Sequence, residues 1–283
     1  MVEIKGLSFY YKPQQLLFQG LNLEIEPGNI YGLLGKNGAG KTTLLKILAG
    51  LIFPNEGDTS VFGCIPGHRK AEMLEDLYFL PEEFYVPKLS GNTYVKLYAP
   101  FYPRFDDTLF REAAAEFEID CALMLTDLSY GQKKKFLTAF GIATNCALTI
   151  FDEPSNGLDI PSKSRFRKLL ASGLTEERSF IISTHQVRDV ESLIDPIIIL
   201  HDGEIVFNHT GEEISRALSV EVRKQLDEGD YLYAEKVIGG HAVLEANTAR
   251  NESNVDIELL FNAVITRPDR VKGAFESGNG GKQ

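Results

Sequence analysis

Along the first 34 residues the hydrophobic pattern has the two-residue period of strands. Leu21-Asn22-Leu23-Glu24-Ile25 alternates cleanly and Ile4, Leu7 and Phe9 alternate imperfectly; successive strand side chains face opposite sides, so each stretch presents one apolar face. Ile30-Tyr31-Gly32-Leu33-Leu34 is instead a short apolar run, as a buried strand would be, with Pro27-Gly28 as the turn before it. A glycine-rich loop follows, and residues 42–48 have the apolar spacing of a helix. Between 64 and 145 the pattern turns mostly helical, with Phe110, Ala113, Ala114 and Phe117 at helical spacing among acidic residues. This predicts an inserted α-helical subdomain over about 84–145. Residues 147–151, 180–182 and 196–200 are short apolar runs separated by helix-like stretches such as 161–170. Strands alternating with helices predict an α/β fold around a mainly parallel sheet covered on both faces.

Asp202-Gly203, between two further apolar segments, is a hairpin signal. The expected main domain is therefore residues 1–210, followed by a small C-terminal extension over 211–283. Within the extension the pattern predicts a helix over 212–226, a hairpin over 231–244 turning at Gly239-Gly240, a short helix over 257–261, and a disordered tail at Gly278-Asn279-Gly280-Gly281. A stabilising appendage is its simplest role. No internal repeat is present.

Composition narrows the function. A formal net charge of −11 over 283 residues opposes wrapping of nucleic acid, because phosphate neutralisation needs clustered Lys and Arg. Cys64, Cys121 and Cys146 are widely spaced and odd in number, which suggests neither a disulfide framework nor a metal site and fits a reducing compartment. Met1-Val2-Glu3-Ile4-Lys5 lacks the apolar segment of a signal peptide, and no stretch approaches the roughly 18 apolar residues of a spanning helix. If the chain serves a membrane, it is expected to dock onto another polypeptide.

Chemistry enters at Gly35-Lys36-Asn37-Gly38-Ala39-Gly40-Lys41-Thr42, the P-loop pattern placed after a strand and before a helix. The glycines let successive backbone N–H groups curl around phosphate oxygens, and the helix N-terminus adds a favourable dipole. Asn37, Gly38, Ala39, Gly40, Lys41, Thr42 and Thr43 are thus candidate nucleotide-binding residues, with Lys41 reaching the β- and γ-phosphates and the Thr42 hydroxyl placed for Mg²⁺. The apolar run at 147–151 ends in Asp152-Glu153. Neighbouring strand residues point to opposite sides, so Asp152 suits the Mg²⁺ shell and Glu153 suits polarising an attacking water.

These motifs and their order resemble the nucleotide-binding domain of ABC ATPases over residues 1–210. Leu128-Ser129-Tyr130-Gly131-Gln132 resembles that family's signature loop, Ser155-Asn156-Gly157-Leu158-Asp159 its D-loop, and Phe180-Ile181-Ile182-Ser183-Thr184-His185 its switch-histidine strand. The resemblance implies a P-loop NTPase core with an antiparallel β subdomain and the inserted helical subdomain. It also implies that ATP with Mg²⁺ is hydrolysed, that His185 contacts the γ-phosphate, and that Tyr11, or its rival Tyr10, stacks on adenine. Ser129, Gly131 and Gln132 would meet the γ-phosphate held by a second subunit, beside Asp159. Lys133, Lys134 and Lys135 crowd the first turn of the helix that Ser129 caps, where positive charge opposes the dipole. An anion arriving at that helix end would relieve the conflict.

Three positions depart from the family pattern. Glu82 stands where the family usually has a Gln and, as a carboxylate, can still ligate Mg²⁺, Tyr130 replaces the first signature glycine, and Lys135 replaces a common Arg, losing bidentate geometry. One P-loop and one signature per chain imply ATP-dependent dimerisation, as a homodimer or with a related subunit. The aromatics Phe84, Tyr85, Tyr94, Tyr98, Phe101 and Tyr102 lie where relatives receive an integral membrane permease. The expected protein is therefore the ATPase subunit of an exporter, cytoplasmic and peripheral on the inner face of the cell membrane through that permease. The alternative is a soluble ABC ATPase acting on ribosomes, DNA or cluster assembly. A P-loop kinase would leave the signature and His185 unexplained.

Overall fold

In the computed structural model residues 1–226, 231–247 and 254–278 are described. The amino-terminal alternation becomes an antiparallel sheet of order β2-β1-β4, made of β1 (Val2–Lys12), β2 (Gln15–Ile25) and β4 (Glu56–Val61). The imperfect alternation of Ile4, Leu7 and Phe9 has a local cause. Register shifts separate the pairs Ile4↔Leu23, Leu7↔Leu21 and Phe9↔Phe18, and such irregularities return each apolar residue to the buried face.

The second sheet has six strands in the order β5-β6-β7-β3-β8-β9. These are β3 (Ile30–Leu34), β5 (Leu77–Leu80), β6 (Leu148–Asp152), β7 (Ser179–Thr184), β8 (Ile197–His201) and β9 (Glu204–His209). All pairings are parallel except β8 with β9, joined at Asp202-Gly203, where both residues have positive φ (46° and 83°). The two-residue period divides the sheet between two cores. Tyr31, Leu33, Leu148, Ile150, Ile181 and Ile198 pack with α1 (Lys41–Leu48) and the antiparallel sheet, whereas Ile30, Leu34, Phe151, Phe180, Ile182 and Ile199 face the helical subdomain.

That subdomain follows the short α2 (Ala71–Leu74) and β5. It comprises α3 (Gly91–Tyr98), α4 (Asp107–Glu116) and α5 (Tyr130–Ala143), with Ser90 and Asp106 accepting from backbone N–H groups at the starts of α3 and α4. Tyr94 and Tyr102 make edge contacts with Phe140 inside the subdomain, whereas Tyr85 and Phe101 are exposed. α6 (Ile160–Gly173) runs from Asp159 toward β7.

The extension corrects two expectations. The predicted helix over 212–226 stops early: α7 (Gly211–Ala217) gives way to β10 (Leu218–Arg223), which pairs antiparallel with β12 (Gly240–Ala246). Leu218, Val220 and Val222 alternate at the strand period, and partner strand β12 decides between the two patterns. β11 (Tyr233–Val237) completes the order β10-β12-β11 and turns into β12 with Val237 opposite Gly240. The helix predicted over 257–261 is longer, α8 (Ile257–Thr266), and α9 (Pro268–Gly278) follows it unforeseen. Of the disordered tail expected over 278–281, Gly278 instead ends α9, and residues 279–281 lie outside the described residues.

Leu259, Leu260, Ala263 and Val264 of α8 are buried in the core that also holds Ile194, Ile197 and Phe207. Leu260 is 0% exposed, so Leu260→Ala should destabilise the whole chain by about 2–5 kcal/mol, read as a lower midpoint in urea unfolding followed by circular dichroism. A midpoint unchanged from wild type would show that α8 docks without contributing to the fold. Among the described residues no helix is long and apolar enough to cross a membrane.

Candidate functional site

The parallel arrangement brings the ends of β3, β6 and β7 to one edge of the sheet, where open α/β folds bind ligands. Leu34 pairs with Thr184, and Asp152 with Ser183. The loop after β3, the carboxylates ending β6 and the histidine after β7 are neighbours for that reason.

In the P-loop, Ala39 N–H donates to Lys36 O at 3.1 Å, and Asn37 and Gly38 are exposed at its tip. Gly40 has φ +106°, and a Cβ there would meet Phe18 Cε1 at 2.6 Å, so both conformation and space require glycine. The first N–H groups of α1 have no partner within the helix and serve as anion donors. Lys41 is buried; its Nζ donates to Gly35 O at 2.8 Å and lies 3.6 Å from Glu153 Oε1. Thr42 Oγ1 donates to Asp152 Oδ2 at 2.7 Å, while Ser183 Oγ donates to the other carboxylate oxygen. The Tyr11 hydroxyl is 3.0 Å from Thr43 Oγ1 and the residue is 63% exposed. Of the two tyrosines, Tyr11 is thus the one in contact with the P-loop helix.

Glu153 is 4% exposed. Its Oε1 lies 2.8 Å from His185 Nδ1, and His185 N–H donates to Oε2 at 3.4 Å. Lys41, Glu153 and His185 therefore form one chain of charge and hydrogen bonds, beside the Thr42–Asp152 pair. Mg²⁺ suits this second pair: a hydroxyl and a carboxylate are hard oxygen donors, and Mg²⁺ takes few protein ligands when phosphates and water complete its octahedron. Among the described residues no cluster of three or more His, Cys, Asp or Glu would hold a metal unaided.

Ser129 and Gln132 form a capping box on α5, so Gln132 reaches back to Ser129 N–H at 2.9 Å. At Gly131 a Cβ would meet Gly157 O at 2.8 Å, which keeps this helix tip close to the 155–159 loop. Asp159 accepts from Ser162 N–H at 2.8 Å at the start of α6, with its side chain exposed. Of the three consecutive lysines in the first turns of α5, one turns inward. Lys134 is 0% exposed, turned inward onto Glu153 O at 2.5 Å and Asn156 O at 3.2 Å. Burial pulls its pKa down to about 8, against the opposing pull of Glu82, Glu153 and Asp152.

Glu82 is two residues past Leu80, which pairs with Phe151, so it lies at the same edge as the carboxylates. Its Oε1 accepts from Asn156 Nδ2 at 3.0 Å, and its carbonyl from the Tyr130 hydroxyl at 2.7 Å. The contacts of Ser183 with Asp152 and of Lys134 with Glu153 were not foreseen from the sequence, although both residues stand in motifs named there. Both carried a signal: Ser183 is a polar residue directly after the apolar run 180–182, and Lys134 has the helical phase of buried Leu137 and Thr138.

Residues 18–156 match the family described as ABC transporter. ABC transporter ATP-binding protein YtrB of Bacillus subtilis is 30% identical over 72% of this chain and 70% of its own length. SkfA peptide export ATP-binding protein SkfE of the same organism is 31% identical over 73% of this chain and 87% of its own. The chain belongs to the ABC transporter ATP-binding family. This ABC ATPase accordingly hydrolyses ATP. A dimeric ATP-binding cassette bound to ADP and Pi has the same fold, with TM-score 0.66 and 22% identity over 74% of this chain and 98% of that one. Relatives do not agree on direction, because the molybdate import ATP-binding protein MolC of Haemophilus influenzae is 28% identical over 74% of this ABC ATPase and 82% of its own length.

Proposed function

We propose that this chain drives a membrane exporter as one half of a dimer that closes on ATP. The observation that supports it most is the convergence at one sheet edge of Lys41, the Thr42–Asp152 pair and the Glu153–His185 pair. In this reading the P-loop backbone from Asn37 to Thr43 and the Lys41 ammonium bind the triphosphate, and Tyr11 lies against adenine. Thr42 and Asp152 would hold Mg²⁺, which neutralises charge on the phosphate oxygens when bound. Glu82, whose Oε1 accepts from Asn156, would join them through its other carboxylate oxygen. Glu153 orients and deprotonates the attacking water, and His185, fixed by Glu153, reaches the γ-phosphate. Ser129, Gly131 and Gln132 at the exposed tip of α5 complete the site of the second copy, with Asp159 alongside.

Export as the direction draws on the peptide-export relative, whose identity exceeds that of the molybdate importer. Docking to a permease on the cytoplasmic face draws on Tyr85 and Phe101, which are 85% and 67% exposed on the helical subdomain and of the type that anchors interfaces. Purification from detergent-solubilised membranes without crosslinker tests the role. The expected companion is an integral membrane permease; ribosomes or nucleic acid in its place would overturn the transport reading in favour of a soluble ABC ATPase.

A further inference from the structure

We propose that Lys134 is a positioning residue for hydrolysis: its ammonium, reaching inward from α5, holds the backbone of Glu153 so that the carboxylate stays aimed at His185. The proposal rests on the reading of Glu153 as the group that activates water.

Glu153 has φ +48°, a left-handed conformation that residues with a Cβ seldom adopt and that persists only where surroundings enforce it. Four hydrogen bonds enforce it here. Its N–H donates to Ser183 O and Oγ, both at 3.1 Å. Its carbonyl accepts from Asn156 N–H at 3.3 Å, closing a tight turn, and from Lys134 Nζ at 2.5 Å. Lys134 also donates to Asn156 O at 3.2 Å, so one ammonium fastens both ends of the turn.

A side chain needed only for volume at this position would be apolar, because burying an ammonium carries a desolvation penalty that Met or Leu avoids. The charge is explained by what it touches. Lys134 is one turn of helix from Tyr130, whose hydroxyl donates to Glu82 O, and Glu82 in turn accepts from Asn156. The tip that this chain presents to a second copy is therefore hydrogen-bonded, through Tyr130 and Lys134, to the turn that carries its own Glu153. A shift of α5 on closing against a partner would be felt at the carboxylate that cleaves.

Steady-state ATPase assays on the full chain, with ATP·Mg²⁺ affinity measured separately by calorimetry, test this with Lys134→Met and Lys134→Gln. Lys134→Met should lower kcat by about tenfold, the rate equivalent of one charge-assisted hydrogen bond, while ATP affinity stays within about twofold of wild type, the split that marks loss of a transition-state interaction. Lys134→Gln keeps amide donors but is shorter and uncharged, so its kcat should fall between the two. A folded Lys134→Met protein at wild-type kcat overturns the proposal, and so does a parallel loss of kcat and affinity. If the Met variant is not recovered folded, the Gln variant decides: a reduced kcat at unchanged affinity supports the assignment, and a wild-type kcat overturns it. Glu153→Gln in the same assay separates the two levels. Undiminished hydrolysis there would remove the reading of Glu153 itself, whereas its loss beside a wild-type Lys134→Met would remove only the role of Lys134.

Discussion

Glu153→Gln is expected to slow ATP hydrolysis by roughly 10²–10⁴-fold, the contribution of a positioned general base, with ATP·Mg²⁺ affinity close to that of wild type. The substitution changes one atom of a side chain that is 5% exposed and already held in place. An amide oxygen can still accept from His185 N–H, which now donates to Oε2 at 3.4 Å, so the pocket keeps its shape. What disappears is basicity toward water. A protein that binds ATP and cannot cleave it should accumulate in the ATP-closed form, and with one P-loop and one signature per chain that form is a dimer. Size-exclusion chromatography should then show a species of twice the protomer mass in ATP·Mg²⁺ and not in ADP. Hydrolysis within tenfold of wild type would show that the carboxylate next to His185 is not the base.

The parts of this site that were legible in the sequence are those where local pattern and chemistry coincide. The P-loop announces itself because glycine is required at Gly40 by both φ and the approach of Phe18, and because Lys41 and Thr42 must follow it directly. Asp152 and Glu153 were visible as charge ending an apolar strand. The hairpin at Asp202-Gly203 was visible because its positive φ values select those residues. The parts that were not legible depend on partners remote in sequence. Lys134 reads as one of three charges crowding the first turn of the Ser129-capped helix until α5 is packed against the 153–156 turn. Residues 218–223 look helical until β12 offers a ladder. In each case a neighbour supplied by tertiary structure overrides what the local residues suggest.

Lys41→Ala should raise the Kd for ATP·Mg²⁺ by about 10- to 100-fold, since hydrogen bonds to charged groups contribute roughly 1.5–3 kcal/mol. The geometry explains why no neighbour substitutes for it. Lys41 Nζ sits inside the P-loop on Gly35 O at 2.8 Å and Lys36 O at 3.4 Å, held by the loop proposed to bind the triphosphate. Lys36, the other lysine of the loop, is exposed at its outer side. Ligand-induced stabilisation separates loss of affinity from loss of fold. At ATP·Mg²⁺ a hundred times above the wild-type Kd, the native protein gains about 2.7 kcal/mol by mass action, and a variant with a hundredfold weaker site gains about 0.4 kcal/mol. A thermal melt without nucleotide that stays cooperative, together with a nearly absent shift on adding ATP·Mg²⁺, is the expected pair of results. An ATP-induced shift equal to wild type in Lys41→Ala would mean that the loop does not bind triphosphate through this ammonium, and the roles proposed for Thr42, Asp152 and Glu153 would lose the ligand that gives them meaning.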